Sequence, residues 1–367
     1  MDPSDPRLPL VERIPRAWRN TLLVLLPSVA LATLFLVARF TTDSPVLYSS
    51  PEDHFKYGST GGERASGFPY WVWKALPSLF PEHLPGGAYQ ADTPYAPLGF
   101  LYEKNADGTY KDLRIGVSRR NVQGLDRVFL TCAICHAGTV RATARSTPRV
   151  VLGMPSNTVD LQAFQRFIFA SATDERFTAA RILGEIKKMD GLRDLGRLNE
   201  RALRKVGITL MRDRLLLLRH RFQFVDREPD FGPGRVDTFN APKVLLNFRM
   251  DLLPEREWVG NCDFPSIWLQ APKQGMRLHW DGNNDKVEER NRSAAFGTGS
   301  YPPTLDRPAM RRVEDWLKTL AARVQGFLQS GSREAAGRSI GHYSRSTTPS
   351  RPGARTFTRP IVPNAMA

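Results

Sequence analysis

LTCAICHAGT, residues 130–139, carries two of the chain's three cysteines, spaced C-x-x-C, with a histidine directly after the second. Three chemistries use such a pair: a redox disulfide, half of a zinc knuckle, or two thioether bonds to a haem. A structural zinc site takes four ligands, usually as two close pairs. The third cysteine, Cys262, has no C-x-x-C or H-x-x-x-H partner nearby. A thioredoxin-like disulfide wants a strand-to-helix step within a βαβ unit. C-x-x-C-H is the pattern of c-type haem attachment. The Cys132 and Cys135 thiols would add to the two porphyrin vinyl groups, and His136 would hold the iron as proximal ligand. With this chain's Cys and His content, chance gives the pattern in about 4 of 10,000 such sequences. One covalent haem c is the expectation.

Such a haem is attached outside the cytoplasm, so the chain should carry an export signal. TLLVLLPSVALATLFLVA, residues 21–38, is an uncharged run long enough to span a bilayer. Arg13, Arg16 and Arg19 precede it. The positive-inside rule then keeps residues 1–20 in the cytoplasm and exports the rest. Ala30-Leu31-Ala32 resembles a signal-peptidase site. The apolar run continues past it to Ala38, which favours an uncleaved anchor. The expected location is the inner membrane, crossed once, with the main domain in the periplasm.

The net charge is +15. Neither a nucleic-acid motif nor a lysine-rich run accompanies it, so no nucleic-acid partner is expected. The arginines are spread along the chain, with a cluster at Arg212, Arg214, Arg219 and Arg221. Such a surface suits docking to an acidic redox protein. Cys262 is left without a disulfide partner, and its neighbours Trp258 and Phe264 predict burial.

Residues 41–330 form the expected haem domain, mainly α with long loops and little alternating β pattern. Residues 43–100, rich in Pro, Gly and aromatics, read as loops and short helices over a core. Leu161, Phe164, Phe167 and Ile168 share one helical face within 158–170. Residues 173–221 read as helical and highly charged. Residues 308–328 read as an amphipathic helix with Val313, Trp316, Leu317, Leu320, Val324 and Phe327 on its stripe. Asn284 or Asp285 is expected to cap a helix starting at Lys286. His279 and Met154 are both candidates for a sixth iron ligand. Met/His ligation would raise the potential and close the iron.

The chain resembles the rubber-oxygenase-like cytochromes c, relatives of the bacterial dihaem cytochrome c peroxidases. The resemblance is carried by CAICH at 132–136, GPGRVDTFN at 232–240, DFPSIWLQ at 263–270, LHWDGNNDKVEERNRSAAFGTG at 278–299 and PPTLD at 302–306. It implies a haem on Cys132 and Cys135 with His136 proximal. It also implies a haem-side role for Trp280, an indole suited to electron transfer, and for Phe296, an aromatic on the open side of the haem. Members carry two haems, and a second C-x-x-C-H should follow the 308–328 helix. None does. Residues 331–367 lose leucine and turn to Ser, Thr, Arg and Pro, the composition of a disordered tail. Two readings of this stretch stand side by side: a disordered tail on a genuine one-haem form, or a frameshift or truncation that puts out-of-frame residues in place of the second haem domain. Three functions remain open on sequence: electron transfer through one haem, an oxidoreductase of oxygenase or peroxidase type with an open iron, or a haem-binding remnant or sensor with no turnover.

Overall fold

The computed structural model describes residues 16–279, 282–318 and 320. They belong to one unit, Met1–Ala321, apart from Ala322–Ala367. Trp280, the distal end of the 308–328 stripe with Val324 and Phe327, and the 331–367 tail lie outside the described residues.

Helix α1, Arg16–Thr41, contains the apolar run and continues through Pro27. Its stretch Asn20–Thr41 has 22 residues and no buried share. At 1.5 Å per residue this is about 33 Å, enough for a hydrocarbon core about 30 Å thick. The chain thus has one N-terminal helix long and apolar enough to cross a membrane. Through Thr42 alone, α1 leads into strand β1, Asp43–Pro45.

Three short helices follow: α2 (Pro51–Tyr57), α3 (Gly62–Ser66) and α4 (Tyr70–Leu79), with β2 (Phe68–Pro69) between the last two. Strands β3 (Val117–Val122) and β4 (Leu125–Leu130) complete an antiparallel sheet in the order β1-β3-β4-β2. Gln123 and Gly124 close the β3–β4 hairpin with φ of 56° and 72°. Two residues at positive φ match the right-handed twist of paired strands. Two further antiparallel pairs are β5 (Ala137–Val140) with β6 (Arg149–Leu152), and β7 (Arg235–Asp237) with β8 (Asn261–Asp263).

The helical part contains α5 (Leu161–Thr173), α6 (Ala179–Lys188), α7 (Gly191–Ala202) and α8 (Ile208–Arg221). One π-helical turn, Leu203–Gly207, joins α7 to α8. Asp160 caps α5 by accepting from the Ala163 N–H at 2.8 Å, and Phe167 and Ile168 are buried as the periodicity predicts. α9 (Asn240–Leu245) and α10 (Val287–Gly297) precede a helix over 307–318, whose Val313, Trp316 and Leu317 are buried. An aromatic core joins α4 to α5: Trp73 stacks on Tyr95 at 4.5 Å and meets Phe164 at 5.6 Å.

The described residues are therefore about half helical, with three small antiparallel sheets among them that the sequence pattern had not announced. The main sheet hid because its strands do not alternate cleanly. Arg120 of β3 is 2 % exposed, pairing with Asp43 of β1 and, at 2.7 Å, with Asp306. An inward arginine satisfied by two carboxylates breaks the apolar-in, polar-out code.

Candidate functional site

The C-x-x-C-H segment lies between β4 and β5, where Cys132–Ile134 form one turn of 3-10 helix. This strand–turn–strand setting is not the strand-to-helix step of a redox disulfide. All three cysteines are free thiols. Backbone bonds hold the turn on every side. The Thr131 N–H donates to Gly116 O at 2.8 Å, and the His136 N–H to Cys132 O at 3.1 Å. From β6 and the loop after it, the Gly153 N–H donates to His136 O and the Ser156 N–H to Cys135 O, both at 2.8 Å. Gly116 has φ +87°, and a Cβ there would lie 2.4 Å from the Ile134 nitrogen. Only glycine lets β3 come this close to the turn.

Cys132, Cys135 and His136 line one cavity of ≈ 290 Å³, near the lower end of roughly 300–1,000 Å³ typical of ligand pockets. Its wall is mostly apolar: Leu130, Ile134, Phe264, Ile267 and Phe296 stand with Val313 and Leu317 of the last helix. Burial pushes both thiols above their ordinary pKa. Burial, and then the nearby Arg290 charge, push His136 down to about 3, so its imidazole is neutral. The His136 Nδ1–H donates to the Pro265 carbonyl at 3.0 Å. Nε2 is then the unprotonated nitrogen, and it makes no hydrogen bond among the described residues. A histidine oriented by a backbone carbonyl through one nitrogen is the usual arrangement of a metal-binding imidazole.

No family model matches this chain, and no curated protein or solved structure matches it.

The predicted residues divide as follows. Phe296, on α10, lines the same cavity and packs edge-on against Tyr301 at 5.3 Å. His279 also lines it, but its side chain is exposed and its Nε2–H donates to the Arg290 carbonyl at 3.1 Å. Met154 is not among the lining residues. It lies against Gly138 of β5, where a Cβ would meet its sulfur at 3.1 Å. Cys262 is half-buried on β8, 2.9 Å from the Thr238 hydroxyl. The helix after LHWDGNN starts one residue late, with Lys286 as cap and neither Asn284 nor Asp285 capping it.

Two cavity residues escaped the sequence reading. Met310 is 1 % exposed, in the first turn of the 307–318 helix, just outside the stripe counted from Val313. Arg290 reads as a solvated helix charge, yet it lines the cavity and donates to Asn291 Oδ1 at 3.1 Å. It makes no ion pair among the described residues, and burial lowers its pKa. Beside the cavity wall, Glu228 is buried against Asp237. Burial, then the Asp237 carboxylate, push Glu228 up to about 8. The Asp237 carboxylate accepts from the Phe239 and Asn240 N–H groups at 2.9 and 2.6 Å.

Proposed function

We propose that this chain is a membrane-anchored c-type cytochrome that carries electrons through one covalently attached haem. One observation carries the reading: two free thiols and a neutral histidine, spaced C-x-x-C-H, share the wall of one apolar cavity. Cys132 and Cys135 would hold the porphyrin edge, and His136 would face the iron through Nε2. The haem, when bound, supplies a one-electron couple at iron. Arg290 would place a half-buried positive charge for a haem carboxylate to meet, and the apolar wall would exclude water. Met310, the buried methionine in that wall, would be the candidate for a second protein ligand, since Met154 lies off the wall and His279 is exposed. The family reading, rubber-oxygenase-like cytochrome c, agrees with Phe296 in the cavity wall. Under this reading α1 anchors the domain on the periplasmic face of the inner membrane, and the basic surface docks an acidic redox protein.

A second reading, an oxidoreductase of oxygenase or peroxidase type, is favoured by a different observation. His279 commits Nε2 to the Arg290 carbonyl, so an open iron results if Met310 stays away. A visible spectrum of the dithionite-reduced holoprotein, with and without carbon monoxide, separates the two. Electron transfer with Met310 bound gives sharp bands that ignore the gas, and Met310→Leu makes them respond. A wild-type Soret shift on adding carbon monoxide instead moves the oxidoreductase to first place. Absence of any haem band refutes both.

A further inference from the structure

We propose that the exposed face running along α7 and α8 rests on the outer surface of the bilayer that α1 crosses, held by anionic lipid headgroups. The proposal rests on α1 being a membrane anchor. Three observations lead there. First, α1 enters the domain without a linker. The Gln123 N–H of the β3–β4 turn donates to the Thr42 carbonyl at 2.8 Å, directly after the helix. Second, α7 sits at the same exit. Arg39, in the last turn of α1, bonds the Asn199 side chain of α7. Asn199 in turn donates to Gly124 O at 2.9 Å. An arginine one turn inside the end of a spanning helix belongs at the headgroup level, so Asn199 and the β3–β4 turn sit there too.

Third, the helix leading away from Asn199 carries apolar residues on two faces, one buried and one exposed. Leu203, Ile208 and Leu215 are buried, and α8 packs on α5 with that side. Val206, Leu210 and Leu217 stand at i, i+4 and i+11, on one opposite stripe, and are 53, 61 and 51 % exposed. Leu198 adds a fourth apolar residue at 51 %. Around them residues 191–221 hold nine Arg and Lys against three Asp and Glu. Exposed apolar residues ringed by cations, on a helix that starts at the membrane surface, fit an interfacial helix. The charge complements phosphatidylglycerol-type headgroups, which attract juxtamembrane basic segments. It does not suit an apolar protein groove. The face thereby fixes the tilt of the domain and decides which side of the haem cavity is presented to a partner.

The test uses the full-length holoprotein in nanodiscs of phosphatidylglycerol or phosphatidylcholine. Nitroxide labels are placed by Leu210→Cys, by Asp107→Cys on the exposed 105–109 loop, and by Leu31→Cys in mid-α1, each in a Cys262→Ser background. The readout is the ratio of relaxation by oxygen, which partitions into lipid, to that by a water-soluble nickel chelate. The expected result is a several-fold higher ratio at 210 than at 107 on phosphatidylglycerol, with Leu31 higher still. That excess should be lost when Arg201, Lys205 and Arg214 are all replaced by Gln. A ratio at 210 equal to that at 107 on both lipids overturns the proposal while the Leu31 label keeps the anchor. A label at 210 shielded from both reagents means a protein contact and also overturns it. A Leu31 label in water removes the anchor itself.

Discussion

Replacing Gly116 by alanine should destabilise the domain through the C-x-x-C-H turn, from the side that carries no candidate ligand. Two costs act together. At φ +87° an L-residue is left-handed, worth about 1–2 kcal/mol. The added Cβ would also lie 2.4 Å from the Ile134 nitrogen and 2.5 Å from its Cα. Those are backbone atoms of the turn, tied by the Thr131 and His136 bonds, so relief requires moving the turn. Overpacking of that kind costs about 1–3 kcal/mol. The total is about 2–5 kcal/mol, against a typical domain stability of about 5–15 kcal/mol. For a domain of this size each kcal/mol lowers Tm by about 3 °C, so Tm should fall by about 6–15 °C. Gly86→Ala separates the terms. Gly86 has φ +65° but nothing within 4 Å of its added Cβ, leaving the backbone cost alone. Thermal unfolding of the two variants in detergent micelles, followed by far-UV circular dichroism, gives the comparison. If Gly116→Ala loses no more than Gly86→Ala, the close packing of β3 on the turn is not what fixes the site.

Other outcomes follow from charges inside the fold. Glu228 keeps its proton up to about pH 8 in the folded chain, against about 4.5 when unfolded. The folded state therefore binds more protons between these values, and stability falls as pH rises from 4.5 to 8, then levels off. Denaturant midpoints at pH 5 and pH 8.5 should differ less in Glu228→Gln than in the wild type; an unchanged difference would count against the buried carboxyl pair. Arg120→Met leaves Asp306 without its cation and Asp43 with Arg64 alone, and should cost about 2–3 kcal/mol in the same assay. Arg290→Gln removes a half-buried positive charge from the cavity wall. In the holoprotein it should lower the reduction potential by roughly tens of millivolts, read by redox titration. An unchanged potential would take Arg290 away from the haem.

What the sequence disclosed follows from how local each signal is. The α1 run, the Leu161–Ile168 face and the Val313–Leu317 stripe each depend on one stretch and its own periodicity, and each is found where the pattern put it. The C-x-x-C-H cluster is equally local, and Phe296 was reached through a resemblance. Features that need distant partners stayed hidden. The β3–β4 hairpin carries Arg119 and Arg120, whose carboxylate partners at Asp126, Asp43 and Asp306 cannot be paired from a linear pattern. Arg290 looks like any charge on a polar helix until the loop at Pro265 and the last helix close the cavity around it. Met154 lies near the motif in sequence, yet β5–β6 pairing places it by Gly138, off the cavity wall. Met310, from far along the chain, lines the cavity instead.

The most direct test is the intact mass of the denatured protein after co-expression with a haem c maturation system. The account predicts a chain heavier by one haem, because thioether bonds survive denaturation. The Cys132→Ser, Cys135→Ser double variant should show the mass of the bare polypeptide. A wild-type chain recovered at the bare mass under the same conditions would contradict the account.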